Sequence, residues 1–453
     1  MEGSSSLPIL NPFHWGFNGT VTHFASDETV ELLLKEAHTK TDFHHFINQN
    51  IPGLRNGANF RLNPMLFTGI LQTMYLSGAN LTKKYQVFYG REVVNFSDGG
   101  ICTADWVIDS WPEKYKFDKE TGLFDKNKFI EDEKATHPDN WPRLHPRTRF
   151  VTKEEQKIIS EDIRPLVLVI HGLAGGSHEP IIRSLTEQLS TIDHHKFQVV
   201  VLNSRGCARS KVSNRMLFTA FHTDDIKEFL QREHARNPKR KIYAVGFSFG
   251  ATLLANYLGK TGDNSLISAA ATVSNPWDMV ASGEKMELDW WSRNLFSKAI
   301  AQFLTRTVEV NMGELGLPDG SEPDHEPTPD KPCFYMFTKE NVTKAKSLTS
   351  TSQFDNTNCS MFGFLKNALA YYKAASSINN LQNIRVPTVI INSRDDPVVG
   401  LASIPYKQIQ LNRYTVLCET DLGGHLAYLD SNQDSWVTKN IAQYFAKFDE
   451  LVL

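Results

Sequence analysis

The chain has 453 residues, 41% hydrophobic and 11% aromatic, enough to bury one large core, and length alone allows two or three domains. Its 48 basic and 51 acidic residues are scattered and leave a formal charge of -3, so a polyanionic partner such as nucleic acid is not expected. Five cysteines (Cys102, Cys207, Cys333, Cys359 and Cys418) form no C-x-x-C pair, which argues against a disulfide framework or a zinc site and fits a reducing compartment.

The opening MEGSSSLPIL has neither a basic head nor a long apolar stretch, so no secretory signal is expected and an intracellular location is. No apolar run approaches the roughly 18 residues needed to span a bilayer. Met65 to Leu76 sets Leu66, Phe67, Ile70, Leu71, Met74 and Tyr75 at helical spacing, with Thr68, Gln72 and Thr73 opposite. That pattern predicts a surface helix packed on the core, with a helix lying on lipid as the alternative. Residues 1–85 are read as an N-terminal extension packed on the core.

From about residue 86, YQVFYGREVVNF and ICTADWVI predict two antiparallel strands joined across Ser97-Asp98-Gly99-Gly100. A polar stretch from Pro112 to Asp162 reads as a surface excursion. PLVLVI (165–170) then begins a series of apolar strands, the kind buried on both faces of a parallel sheet. It continues with 197–202, 241–247 and 266–273. Between these strands come a helix capped by Ser177, a helix starting at Thr223 before Asp224 and Asp225, and a helix from Ala251 to Leu258 stopped by Gly259. The rhythm breaks over 275–383, where Trp277, Trp290, Trp291, Phe296 and Phe303 mark an inserted cap. The two tryptophans at 290 and 291 either line a ligand tunnel or form the cap's own core, the latter being commoner. The sheet resumes at 386–392 and 413–420, and a helix over 436–448 closes the chain. The core is thus read as 86–274 plus 384–453, an α/β arrangement of β-α-β units.

Gly246-Phe247-Ser248-Phe249-Gly250 matches G-x-S-x-G and falls between a predicted strand and a predicted helix, the setting of a nucleophile elbow. A serine hydroxyl is a weak nucleophile and needs an imidazole to take its proton and a carboxylate to orient that imidazole. His425, after Asp421-Leu422-Gly423-Gly424 and the last predicted strand, is the candidate base. Ser393-Arg394-Asp395-Asp396-Pro397 follows the preceding strand, and Asp396 is preferred as the acid with Asp395 as a turn residue. His171-Gly172-Leu173-Ala174-Gly175-Gly176 supplies a candidate oxyanion loop, whose donors would be the backbone N–H groups of Leu173 and Phe249. It lacks the spacing and lysine of a phosphate-binding loop. Two decoys are set aside: His325 with Asp330, an H-x-x-x-x-D in a polar loop, and Cys207, which has no histidine motif beside it.

HGLAGGSHEP, LNSRGCARS, VGFSFGATLLANYLG, NSRDDPVVG and DLGGHLAYLD together resemble the fungal medium-chain fatty-acid ethyl ester synthase/esterases, within the α/β-hydrolase superfamily and its AB hydrolase 4 family. NPFHWGFNGTV, YGREVVNFSDGGICTADW, KATHPDNWPRL and FLTRTVEVNMGELGLP extend the resemblance over nearly the whole chain. It implies an α/β-hydrolase fold, a mostly parallel sheet flanked by helices with an inserted helical cap, and a triad of Ser248, Asp396 and His425. It also implies medium-chain acyl-CoA and ethanol or fatty-acid esters as substrates, no cofactor, and association with lipid droplets or the mitochondrial outer membrane. Phe247 departs from the group, where a cysteine often precedes the serine. A monoacylglycerol lipase or thioesterase would use the same three residues. A non-catalytic lipid-droplet scaffold would not need them, and their joint presence weighs against it.

Overall fold

The computed structural model describes residues 17–36, 38–322, 337–359 and 367–453. The strands, in chain order, are β1 (Asn18–Ala25), β2 (Glu31–Leu33), β3 (Lys40–Asp42), β4 (Asn59–Arg61), β5 (Tyr89–Asn95), β6 (Ile101–Val107), β7 (Thr148–Phe150), β8 (Leu166–Ile170), β9 (Gln198–Asn203), β10 (Ile242–Phe247), β11 (Ala269–Val273), β12 (Thr388–Ser393) and β13 (Thr415–Thr420). Eleven of them form one sheet in the order β4-β1-β13-β12-β11-β10-β8-β9-β6-β5-β7, while β2 and β3 pair separately.

Six neighbours in the middle, β9-β8-β10-β11-β12-β13, run parallel. Every residue in them is buried, which is why the sequence shows unbroken apolar runs there instead of alternation. Antiparallel pairings flank this block on both sides. β5 and β6 pair in the expected hairpin, and β6 joins β9. At the other edge β1 pairs with β13 and β4 with β1, so the N-terminal segment contributes strands to the sheet itself. The two sheet faces carry separate cores, one centred on Trp106, Phe229, Leu254 and Leu304, the other on Phe46, Tyr243, Phe247 and Phe445.

Several local expectations change. The stretch after Pro112 is no mere excursion: Trp111, Tyr115 and Phe129 bury a small core against Phe88, and β7 adds to the sheet edge. Ser177 does not cap the next helix. Its hydroxyl donates to buried Asp105 at 2.5 Å, and the helix Pro180–Thr191 begins at Glu179 instead. Gly259 does not stop its helix, which runs Phe249–Thr261 and ends at Gly262 with φ 50°. At position 259 the glycine serves close packing, since a Cβ there would sit 2.2 Å from the Asn380 carbonyl oxygen.

Between β11 and β12 the chain leaves the sheet and builds helices including Met279–Leu288, Lys298–Val310 and Ala368–Ala375, which cover the carboxyl ends of the strands. The parallel strands and this cover together leave the crevice in which open α/β sheets place their ligands.

Candidate active site

β10 ends at Phe247 and the chain turns into the helix Phe249–Thr261 through Ser248, whose φ is 51°. A non-glycine residue with positive φ is uncommon and strained, and here the strain lifts the serine clear of both elements. The flanking glycines make the turn possible. A Cβ on Gly246 would lie 2.4 Å from the Gly250 carbonyl oxygen, and one on Gly250 would lie 2.3 Å from the His171 carbonyl oxygen.

His425 Nε2 stands 3.0 Å from Ser248 Oγ, and His425 Nδ1 stands 2.9 Å from Asp396 Oδ2. Asp396 is 1% exposed, and its other oxygen accepts the backbone N–H groups of Val398 and Val399 at 2.8 and 2.9 Å. Those two bonds fix the carboxylate and aim its free oxygen at the imidazole. The structure therefore brings Ser248, His425 and Asp396 into one hydrogen-bonded line.

Asp395 points elsewhere. It accepts from the Ser393 hydroxyl and from the Gly424 N–H, the latter at 2.8 Å, and so ties the acid loop to the histidine loop. Burial pushes its carboxyl up to about 7, against which those two hydrogen bonds pull.

Gly172 and Leu173 run beside the serine: a Cβ on Gly172 would be only 3.7 Å from Ser248 Cβ. Phe249 is the first residue of its helix, where backbone N–H groups have no partner inside the helix. Leu173 and Phe249 both line the cavity with Ser248. Behind this loop His171 is buried, and burial lowers it to about 4. Its Nε2 accepts the Ser204 N–H at 3.0 Å, which leaves Nδ1–H to donate to the Gly172 carbonyl at 2.7 Å. A neutral imidazole of one fixed tautomer thus pins the loop. Asp105 anchors it from below, paired with Arg91 through two bonds of 2.7 Å and accepting from Ser177 and Asn203.

The most informative residues that sequence reasoning missed lie in the helix Gly69–Gly78. The expectation put Gln72 and Thr73 on the polar outer face, but they are 1% and 3% exposed, while Met65 and Met74 face outward. Thr73 Oγ1 accepts the His425 N–H at 2.8 Å and donates to the Gly69 carbonyl at 2.6 Å. The Gln72 side chain makes two bonds with the Leu429 backbone, 3.1 and 2.9 Å. The helix turns its polar side inward because the histidine loop offers backbone groups there that burial would otherwise leave unpaired. Two adjacent polar residues inside an otherwise apolar helix were the available signal.

These groups open into a cavity of about 860 Å³. Its far wall, from the cap, includes Met286, Phe296, Phe303, Phe354 and Tyr371. Trp290 and Trp291 do not line it: Trp290 is 64% exposed, and Trp291 packs with Ile70, Met286 and Phe296. Cys207 is buried, where its thiol packs in the core and burial pushes its pKa up, away from the thiolate a nucleophile needs. His325 and Asp330 lie outside the described residues.

Set against known proteins, residues 165–431 match the family model of the alpha/beta hydrolase fold. The chain is 61% identical to the medium-chain fatty acid ethyl ester synthase/esterase 2 of Saccharomyces cerevisiae, with 100% of each chain covered. It is 31% identical to the monoacylglycerol lipase of the same yeast, covering 90% of this chain and 85% of that one. Among solved structures it is similar to an esterase of Pyrococcus furiosus, with 13% identity, a TM-score of 0.44, and 82% of this chain and 95% of that one covered.

Proposed function

This chain belongs to the α/β-hydrolase fold family and is an enzyme, a serine esterase, and from that premise we propose that it forms and hydrolyses medium-chain fatty-acid ethyl esters through an acyl-enzyme on Ser248. The observation that carries the reading is the line Asp396–His425–Ser248 opening into an apolar cavity of about 860 Å³. A cavity of that size and character suits an aliphatic acyl chain.

In the proposed cycle His425 Nε2 takes the proton of Ser248 as Oγ attacks the acyl carbonyl, and Asp396 stabilises the imidazolium that forms. The Leu173 and Phe249 N–H groups receive the negative charge on the carbonyl oxygen. His425 then passes its proton to the leaving thiol of acyl-CoA or the leaving alcohol of an ester. Water or ethanol next gives its proton to His425 and attacks the acyl-enzyme, yielding acid or ethyl ester. The balance between the two rests on how well the pocket holds an alcohol against abundant water.

The reading is tested by incubating the protein with octanoyl-CoA and ethanol and quantifying ethyl octanoate and octanoate beside Ser248→Ala. Ester above the Ser248→Ala background supports it. Octanoate alone leaves only a hydrolase. The 31% identity to a monoacylglycerol lipase supports glycerol esters as further substrates of the same three residues.

A further inference from the structure

Glu179 is a carboxyl beside the candidate oxyanion loop that, unlike Asp105, lines the cavity, and nothing in the cycle above uses it. It lines the cavity together with Ser248 and His425. It occupies the position just before the helix Pro180–Thr191, yet its side chain makes no capping hydrogen bond there. No salt bridge and no side-chain hydrogen bond reaches it among the described residues, and burial pushes it up to about 7, relieved only by a backbone contact from Gly176.

Its place is held by the loop itself. A Cβ on Gly175 would sit 2.4 Å from the Glu179 carboxyl carbon, so the glycine leaves the niche in which the carboxyl lies. The other carboxyl that lines the cavity is already engaged: Asp355, on the cap, accepts from the Tyr372 hydroxyl. A desolvated carboxyl with so few partners is costly, and a ligand that supplies a hydrogen bond to it gains what an alkyl group cannot.

The chemistry says which ligand group can do so. An attacking alcohol must direct its single O–H at His425 Nε2, and a leaving alkoxide has no O–H until it takes one from His425. Within the alcohol half, therefore, only a second, unreacting hydroxyl is free to donate to Glu179. We propose that Glu179 is a positioning residue that accepts a hydrogen bond from a non-reacting hydroxyl of the alcohol half, so that the site favours esters of a polyol such as glycerol over esters of a simple alcohol. This rests on Ser248 being the nucleophile.

The test measures kcat/KM of the wild type, Glu179→Gln and Glu179→Leu on 1-octanoylglycerol and on ethyl octanoate, with a fluorophosphonate probe reporting Ser248 reactivity in each. Glu179→Leu should lose about tenfold on the glycerol ester relative to the ethyl ester, and Glu179→Gln, whose amide oxygen still accepts, should recover most of that. An unchanged ratio of the two esters in Glu179→Leu overturns the assignment, as does equal loss on both. If Glu179→Leu does not label because the loop has collapsed, Glu179→Gln decides: the proposal needs its ester ratio to stay near wild type and the wild type to prefer the glycerol ester, and a wild-type preference for ethyl octanoate refutes it. Hydrolysis that persists in Ser248→Ala would instead refute the nucleophile, a separate outcome.

Discussion

Asp396 accepts two backbone N–H groups on one oxygen and faces His425 with the other, whereas its neighbour Asp395 faces Ser393 and Gly424. Asp396→Asn should therefore lower kcat by about 10⁴-fold through loss of the imidazole's orientation and charge partner, and Asp395→Asn far less. Steady-state kinetics on one ester decides this, and the opposite ranking would reassign the acid. The pair also gives a pH signature. Asp395 sits near 7 in the fold against about 3.9 in an unfolded chain, so between those values the folded state holds a proton that the unfolded state releases. Stability then falls as pH rises through that window. Asp395→Asn removes this slope, so its Tm relative to wild type should be higher at about pH 8 than at about pH 5. A pH-independent difference would mean Asp395 is charged in the fold.

At the scale of elements, the buried parallel strands and the strand-turn-helix at Ser248 were legible because burial on both faces leaves an unbroken apolar run and the elbow demands glycines at fixed offsets. The N-terminal strands and the inward polar face of the helix Gly69–Gly78 were not. β4 at the sheet edge and β1 just inside it have mixed exposure, and Gln72 and Thr73 are explained only by the histidine loop that meets them from some 350 positions later. Thr73→Val, which removes the acceptor for the His425 N–H, should cost about 1–3 kcal/mol of stability and lower kcat by about tenfold or more with KM little changed. Thermal unfolding and kinetics on one ester check both; a change confined to KM would place the helix in substrate binding instead.

For the whole molecule, the ends of the sheet strands carry Ser248, Asp396 and His425 while the cap supplies much of the cavity wall, so on the proposed reading chemistry and chain-length selection are separable. The cap's part escaped sequence reading because helical aromatics look alike whether they face a cavity or solvent: Trp290 is exposed while Phe303 and Phe354 line the cavity. Phe354→Trp adds volume to that wall and should shift the preferred chain in a series of ethyl esters toward shorter acyl groups, with reactivity toward a fluorophosphonate retained. An unchanged preference would put the acyl chain elsewhere. The central claim is the acyl-enzyme on Ser248, and its most direct test is to mix the protein with octanoyl-CoA, quench in acid and map the acyl group by peptide mass spectrometry. We expect one octanoyl group on the peptide bearing Ser248 and none on the same peptide of Ser248→Ala. Turnover with the octanoyl group on another residue would contradict it.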